Sequence, residues 1–290
     1  PALLKEKGIF KIKPGQFDSL DGDIDKISEV EFIDQKPIGT SSRSNPVTYL
    51  KIYDDIRNLY ASQKLSKLNN FKAKHFSFNV DGGRCENCKG EGTVKIEMQF
   101  MADVNLLCET CKGKRFKKEV LKVKFHKKNI DDILKMTVDE AIVFFNSTNS
   151  TKISLKLKPL QDVGMGYIQL GQSSSTLSGG EAQRIKFATF ILKGNKGKNT
   201  LFIFDEPTTR LHFHDIKKLL KSFNSLLDNG HSIIVVEHNL DLIKCSDNII
   251  DLGPEGGEEG GDLIFNGKPS DILKNKNSQL SKYLKSKISI

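Results

Sequence analysis

Apolar positions along the chain follow two periods, and each period predicts its own kind of element. Glu29 to Ile33 alternates enough for a short strand, and Val94, Ile96, Met98 and Phe100 alternate as one face of another. Leu201 to Phe204 and Ser232 to Val236 are instead nearly continuous apolar runs, the pattern of strands covered on both sides in a parallel sheet. Asn248 to Leu252 predicts a further strand, and the chain from Asp262 predicts one more strand followed by a lysine-rich helix or tail. Helical spacing appears elsewhere. Asn45 caps a helix with Pro46 at its first position and Tyr49, Ile52, Ile56 and Leu59 on one apolar face. Thr137 and Glu140 form a capping box before Ile142, Phe144 and Phe145, and Asn146 to Lys152 reads as a loop. A helix from Gly179 to near Gly194 directs Ala182, Ile185, Thr189 and Leu192 inward. Another begins near His214 or Asp215, with Ile216, Leu219, Leu220, Phe223 and Leu227 as its core face. Pro1 to Asp25 has no strong period and reads as a connector.

With 290 residues, 37% hydrophobic and 28% charged, the chain has globular usage and can bury a sizeable core. A formal charge of +9 biases it towards polyanions, although plain solubility explains the same number. No signal peptide and no long apolar run is present, so a cytosolic protein without a membrane partner is expected.

Four of the five cysteines form two C-x-x-C pairs, Cys85/Cys88 and Cys108/Cys111, with 19 residues between the pairs. Each pair places two thiolates on one tight turn, and two such turns close a tetrahedral zinc site. Lys-Gly follows both pairs, at Lys89-Gly90 and Lys112-Gly113, as in two similar knuckles. Free or redox-active thiols are the alternative, but no redox fold is indicated nearby. The strand between the pairs makes the module a metal-stapled hairpin. Cys245 has no partner and is expected to be buried. From Lys112 to Lys128 stand nine Lys or Arg against one acid, Glu119. Lys114, Arg115, Lys117 and Lys118 are the candidate contacts to DNA phosphates, and a solvated face is the competing reading.

Leu177-Ser178-Gly179-Gly180-Glu181-Ala182-Gln183-Arg184 joins a loop with few side chains to a helix start. Ser178 and Glu181 form a capping box there, and the glycines leave backbone N–H groups open to a phosphate at the positive end of the helix. An ordinary cap has the same pattern. The following segments change the reading, because Leu201–Phe204 ends in Asp205-Glu206-Pro207, and Ile233 to Val236 ends in Glu237-His238.

In order and spacing, LSGGEAQR, FIFDEP and IIVVEH resemble the ABC-type ATPases. With the four cysteines, Asp34-Gln35, Pro37-Ile38-Gly39, Arg43-Ser44-Asn45-Pro46 and Leu252-Gly253-Pro254-Glu255-Gly256-Gly257, the chain is similar to the C-terminal half of the UvrA family, the damage-recognition ATPases of bacterial nucleotide excision repair. The resemblance implies an α/β ABC-ATPase nucleotide-binding half with a helical signature subdomain and an inserted four-cysteine zinc module. It divides the chain into a first part of the ATP-binding lobe (1–75), the signature subdomain (76–195, zinc module 85–111) and a second part of the lobe (196–290).

The resemblance also assigns roles. Gln35 is the Q-loop residue. Asp205 holds Mg2+ through water, Glu206 orients or deprotonates the attacking water, and His238 contacts the terminal phosphate of ATP. Ser178, Gly179 and Gly180 cap ATP held by the other half of the protein. Implied partners are damaged double-stranded DNA, the N-terminal half of the same protein, a second copy of it, and UvrB. The family's phosphate loop lies upstream of a Pro-Ala-Leu like Pro1-Ala2-Leu3, and no G-x-x-x-x-G-K-[ST] string occurs here. The chain is therefore expected to start just after that loop and to be inactive alone. Arg210 stands where the family has glycine, and Lys36, Thr40 and Ser42 also depart from its usual residues. A non-hydrolysing zinc DNA-binding fragment, a transporter ATPase and a family paralogue serving drug self-resistance are the rival readings. The long insert between Gln35 and Leu177 argues against the transporter.

Overall fold

The strands are β1 (Glu29–Ile33), β2 (Thr93–Ile96), β3 (Val104–Leu107), β4 (Thr200–Asp205), β5 (Ser232–Val236), β6 (Ile249–Gly253) and β7 (Asp262–Gly267). The structure is a computed structural model. It describes residues 1–290 apart from 10–12, 40–42, 97, 99–103, 194–197, 210, 258–259 and 289–290, and apart from the side chains of 193, 213 and 214. Thr40, Ser42, Phe100, Gly194 and Arg210 thus lie outside the described residues. The chain divides into two compact units, residues 1–32 with 199–290 and residues 33–198. The limits expected from the sequence are 75/76 and 195/196. The first differs because the segment after β1 packs by its helices, with the Tyr53 hydroxyl donating to Phe76 O at 2.7 Å.

In the first unit the main sheet has the order β1-β4-β5. β4 is central and runs parallel to β5, with Leu201 opposite Ser232 and Asp205 opposite Val236. Its Leu201, Phe202 and Phe204 are buried, and the Phe204 ring lies 4.7 Å from that of Phe223 on the helix Phe213–Asp228. That helix buries Ile216, Leu219, Phe223 and Leu226, whereas Leu227, expected inside, is exposed. β5 differs from the fully covered strand its composition predicts. Its burial alternates, leaving Ile234 and Val236 at 50% and 53% exposure, because the described residues cover one face of this edge strand. β6 and β7 form a separate antiparallel ribbon, and Ile249 packs with Ile272 and Leu284. Cys245 is exposed, contrary to expectation. It follows the one-turn helix Leu240–Ile243, too short to cover it, and its thiol donates to Asp241 O at 3.3 Å.

In the second unit the helix predicted from Asn45 is two helices, Pro46–Tyr49 and Tyr53–Ala61. Asn45 caps the first by accepting from Thr48 N. Lys51, at φ 58°, breaks the run in the left-handed region, and Ile52 N reaches back to Val47 O at 2.9 Å, a Schellman-type closure. The break rotates the register, so Ile52, Tyr53, Ile56 and Tyr60 are buried while Tyr49 is exposed. The Thr137–Glu140 capping box is present and opens the helix Val138–Ser147. The expected loop after it is short. A helix, Thr151–Asp162, follows and buries Ile153, Leu157 and Leu160 despite Pro159 in its interior. The helix Gly179–Lys193 is more enclosed than a one-faced helix, since Gln183, Arg184, Phe187 and Ala188 are buried with Ala182 and Ile185.

Candidate nucleotide site and metal centre

Parallel strands deliver their C-terminal residues to one edge, so the register that sets Asp205 opposite Val236 also brings Glu206 and His238 together. Glu206 N donates to Val236 O at 2.9 Å, extending the ladder by one residue. Glu206 itself is at φ 45°, a left-handed conformation that costs a non-glycine residue about 1 kcal/mol and turns its side chain off the strand direction. Its Oε1 lies 2.7 Å from His238 Nε2, and Thr209 Oγ1 donates to Oε2 at 3.3 Å. The hydrogen bond from His238 holds the Glu206 carboxyl below the usual glutamate range, with Thr209 adding to it. Glu206 is therefore ionised at neutral pH and able to accept a proton or orient water.

Glu237 has a part that its place in the sequence did not reveal. One oxygen accepts from Thr208 N at 2.8 Å and from the Thr208 hydroxyl, and the other from His238 N at 2.8 Å and Asn239 N at 3.0 Å. A single carboxylate thus ties the loop after β4 to the loop after β5. An acid directly after an apolar strand and before the histidine was the available signal.

In the second unit, the stretch after β1 is fastened to the helix Gly179–Lys193. Gln183 Nε2 donates to Ile33 O at 2.7 Å, and Lys186 Nζ contacts Asp34 O at 3.2 Å and pairs with the Asp34 carboxylate. Burial pushes Asp34 up, but the Lys186 ion pair together with the Lys36 N–H and charge outweighs it and the carboxyl titrates below its usual range. A Cβ at Gly179 would stand 3.0 Å from Gln35 Cβ and Oε1. Gln35 and the signature glycine are therefore neighbours. The capping box is reciprocal, with Ser178 N donating to Glu181 Oε2 at 2.7 Å and Glu181 N to Ser178 Oγ at 3.3 Å. Tyr167 donates to the other Glu181 oxygen at 2.6 Å, and burial together with that bond pushes its hydroxyl up to about 12. The first N–H groups of a helix lack intrahelical acceptors, so this helix start offers donors that suit an anion.

All four sulfurs of Cys85, Cys88, Cys108 and Cys111 lie within 4.8 Å of one another, and all four residues are buried. Sγ separations are 3.9 Å for Cys85–Cys108 and 3.6 Å for Cys88–Cys111. Tetrahedral zinc with Zn–S of roughly 2.3 Å spaces its sulfurs about 3.8 Å apart, so the set fits. Lys89 and Lys112 adopt φ 48° and 52°, and Gly90 and Gly113 follow at 88° and 79°, so the two knuckles share one backbone form. At Gly90 a side chain would collide with Phe78 O. Asn87 Nδ2 and Gly92 N direct donors at the sulfurs of Cys108 and Cys88, at 3.4 and 3.3 Å. Burial opposes ionisation of Cys108, yet the Cys111 and Thr110 N–H groups and the Asn87 amide bring it down to about 6. β2 and β3 pair antiparallel as the expected hairpin. Their aliphatic side chains are exposed, so sulfur geometry and not a core organises the module.

The four candidate DNA contacts separate. Lys114 and Lys118 are exposed. Arg115 turns inward, donating to Gly171 O at 3.1 Å with its guanidinium 5.4 Å from the Phe78 ring centre, and Lys117 pairs with Glu86.

A parallel strand pair ending in acid and histidine, a glycine-rich signature at a helix start and a cysteine module in the signature unit define an ABC-type ATPase half. No protein-family model matches the chain. It is 52% identical over 284 residues to UvrABC system protein A of Clostridium acetobutylicum, covering 98% of this chain and 30% of that protein. To the Staphylococcus epidermidis protein of the same name it is 51% identical over 284 residues. The crystal structure of UvrA2 from Deinococcus radiodurans superposes with a TM-score of 0.84 at 42% identity, covering 92% of this chain and 32% of that one. The chain belongs to the UvrA family, and it spans about 30% of the length of the curated relatives it matches.

Proposed function

We propose that this chain is the C-terminal ATPase and DNA-binding part of a protein that recognises damaged double-stranded DNA for nucleotide excision repair. Its observational support is the Glu206–His238 pair at adjacent ends of two parallel strands, within a chain 52% identical to UvrABC system protein A. Residues 1–32 and 199–290 form the ATP-binding lobe and 33–198 the signature subdomain. Asp205 would hold Mg2+ through water, an ion that when bound neutralises charge on the ATP phosphates, and Gln35 serves as the Q-loop residue. Glu206 orients and polarises the attacking water, and His238 donates to the terminal phosphate. Ser178, Gly179 and Gly180 present backbone N–H groups to ATP bound by the N-terminal half of the same protein. The four cysteines hold structural zinc. Lys114 and Lys118 contact DNA phosphates. The working assembly contains a second copy and UvrB, in the cytoplasm; among the described residues no helix is long and apolar enough to cross a membrane.

The chain alone, without a G-x-x-x-x-G-K-[ST] string, does not turn over ATP. In the full-length protein Glu206→Gln retains nucleotide and loses hydrolysis at its site, because an amide keeps the shape but cannot polarise the water. Steady-state phosphate release and lesion-dependent duplex binding test the reading. Robust turnover by the isolated chain, or equal affinity for damaged and undamaged duplex, would overturn it.

A further inference from the structure

We infer that a second lysine surface, formed by Lys64 to Lys74 and Lys122 to Lys128, grips the phosphate backbone of duplex DNA. The inference rests on the DNA-binding reading above and adds a footprint to it. From Lys64 to Val80 the sequence holds four lysines and no acid, and from Val120 to Ile130 another four lysines and no acid. Lys64, Lys67, Lys72 and Lys74 are exposed, as are Lys122, Lys124, Lys127 and Lys128. None of the eight makes an ion pair with a described residue, whereas Lys135, Lys156, Lys186, Lys218 and Lys244 each have an aspartate partner.

The two lysine segments are far apart in sequence and are held together by Tyr60. Its ring is fully buried, its hydroxyl donates to Lys128 O at 2.8 Å, and its own carbonyl accepts from the buried Ser66 hydroxyl at 2.7 Å. Ser66 O in turn accepts from Phe71 N at 2.8 Å. Phe125 and Lys128 exchange backbone hydrogen bonds of 2.8 and 3.0 Å around His126 and Lys127, both in the left-handed region. A tight turn thus displays lysines at its tip and is tied through Tyr60 to the helix Lys64–Leu68. Asp132 is the acid nearest to Tyr60 in effect, and its carboxylate accepts from Asn129 N at 2.8 Å as a helix cap. Unpaired ammonium groups on a rigid support suit a regularly spaced polyanion, and each phosphate neutralised releases counterions.

The test measures binding of the full-length protein to an undamaged duplex by fluorescence anisotropy between low and moderate salt. Lys67→Ala, Lys72→Ala and Lys74→Ala combined should lower the slope of log affinity against log salt by about 0.9 for each phosphate that is no longer neutralised. Lys127→Ala with Lys128→Ala should do likewise, and the corresponding arginine variants should keep the slope. Lys217→Ala with Lys221→Ala, exposed on the helix Phe213–Asp228, should change nothing. Thermal melts matching the parent exclude misfolding. An unchanged slope in both sets overturns the inference while the parent still binds DNA; failure of the parent to bind overturns the underlying reading instead. Loss of polyglutamate binding with an unchanged DNA slope would reassign the surface to an acidic protein.

Discussion

His238 Nε2 and Glu206 Oε1 lie 2.7 Å apart, bridging the ends of β5 and β4. The pair joins two groups to which the proposed mechanism gives neighbouring roles, and its electrostatic consequence is measurable. Glu206 is depressed first by the His238 hydrogen bond and then by its charge. A depressed carboxyl stabilises the fold above the unfolded value, here 4.5, and that contribution disappears as pH falls through the folded value. His238→Ala should raise the Glu206 titration towards the ordinary range, with the Thr209 hydrogen bond still holding it down in part, read by carboxyl NMR titration. An unmoved Glu206 titration would show that the pair is not formed in solution.

Glu237 should matter for the integrity of the loops. It accepts four donors, from Thr208 N, the Thr208 hydroxyl, His238 N and Asn239 N. Glu237→Ala leaves these groups to water and should cost about 2 kcal/mol, as hydrogen bonds to a charged acceptor are removed. Glu237→Gln should cost less, since it retains one good acceptor. Chemical denaturation measures both, and amide exchange at Thr208 and Asn239 should quicken in step.

Metal content tests the cysteine cluster directly. One zinc per chain is expected, and Cys108→Ser should lower zinc content and thermal stability together, because the β2–β3 hairpin has exposed aliphatic faces and little else to hold it. Retention of one zinc per chain after that substitution would remove Cys108 from the ligand set. Removal of metal by a chelator should disorder the hairpin without unfolding the unit of residues 1–32 and 199–290, followed by circular dichroism and exchange.

How legible the protein is in its sequence depends on whether a feature is local. β1, β5 and the Thr137 capping box follow from neighbouring residues and stand where the pattern predicts them. The C-x-x-C pairs are equally local. The break at Lys51 is not, because nothing marks a lysine as left-handed until Ile52 and Val47 have closed their hydrogen bond. The helix Thr151–Asp162 is concealed by the polar run before it and by Pro159, although Ile153, Leu157 and Leu160 carry helical spacing. Arg115 reads as one charge among nine, and only the positions of Gly171 and Phe78 show that it turns inward. Glu237 is visible as an acid, but its four donors come from two loops.

The fastening of Gln35 to the signature helix separates stability from function, and two substitutions divide the effects. At Gly179 a side chain would meet Gln35 at 3.0 Å, tighter than an ordinary contact, so Gln35 must give way by a few tenths of an ångström. Alanine is a better helix former than glycine by about 1 kcal/mol in a helix interior and by less at a first turn. Gly179→Ala should therefore leave the melting temperature nearly unchanged or slightly raised while ATP turnover in the full-length protein falls. Lys186→Ala acts on the other side of the same junction. Its ion pair with Asp34 is largely shielded, with side-chain exposures of 16% and 26%, and its removal should cost about 1 kcal/mol. Burial opposes ionisation of Asp34, and Lys186, with Lys36 adding to it, overcomes that cost, so these contacts stabilise the fold above the ordinary aspartate value of 3.8, and this stabilisation disappears as pH falls through the depressed value. The destabilisation by Lys186→Ala should accordingly be full at neutral pH and shrink in acid. Lys186→Arg should restore stability and turnover together if the charge fixes the segment carrying Gln35. Equal turnover by the parent, Gly179→Ala and Lys186→Ala proteins would show that the position of Gln35 on the helix has no bearing on catalysis.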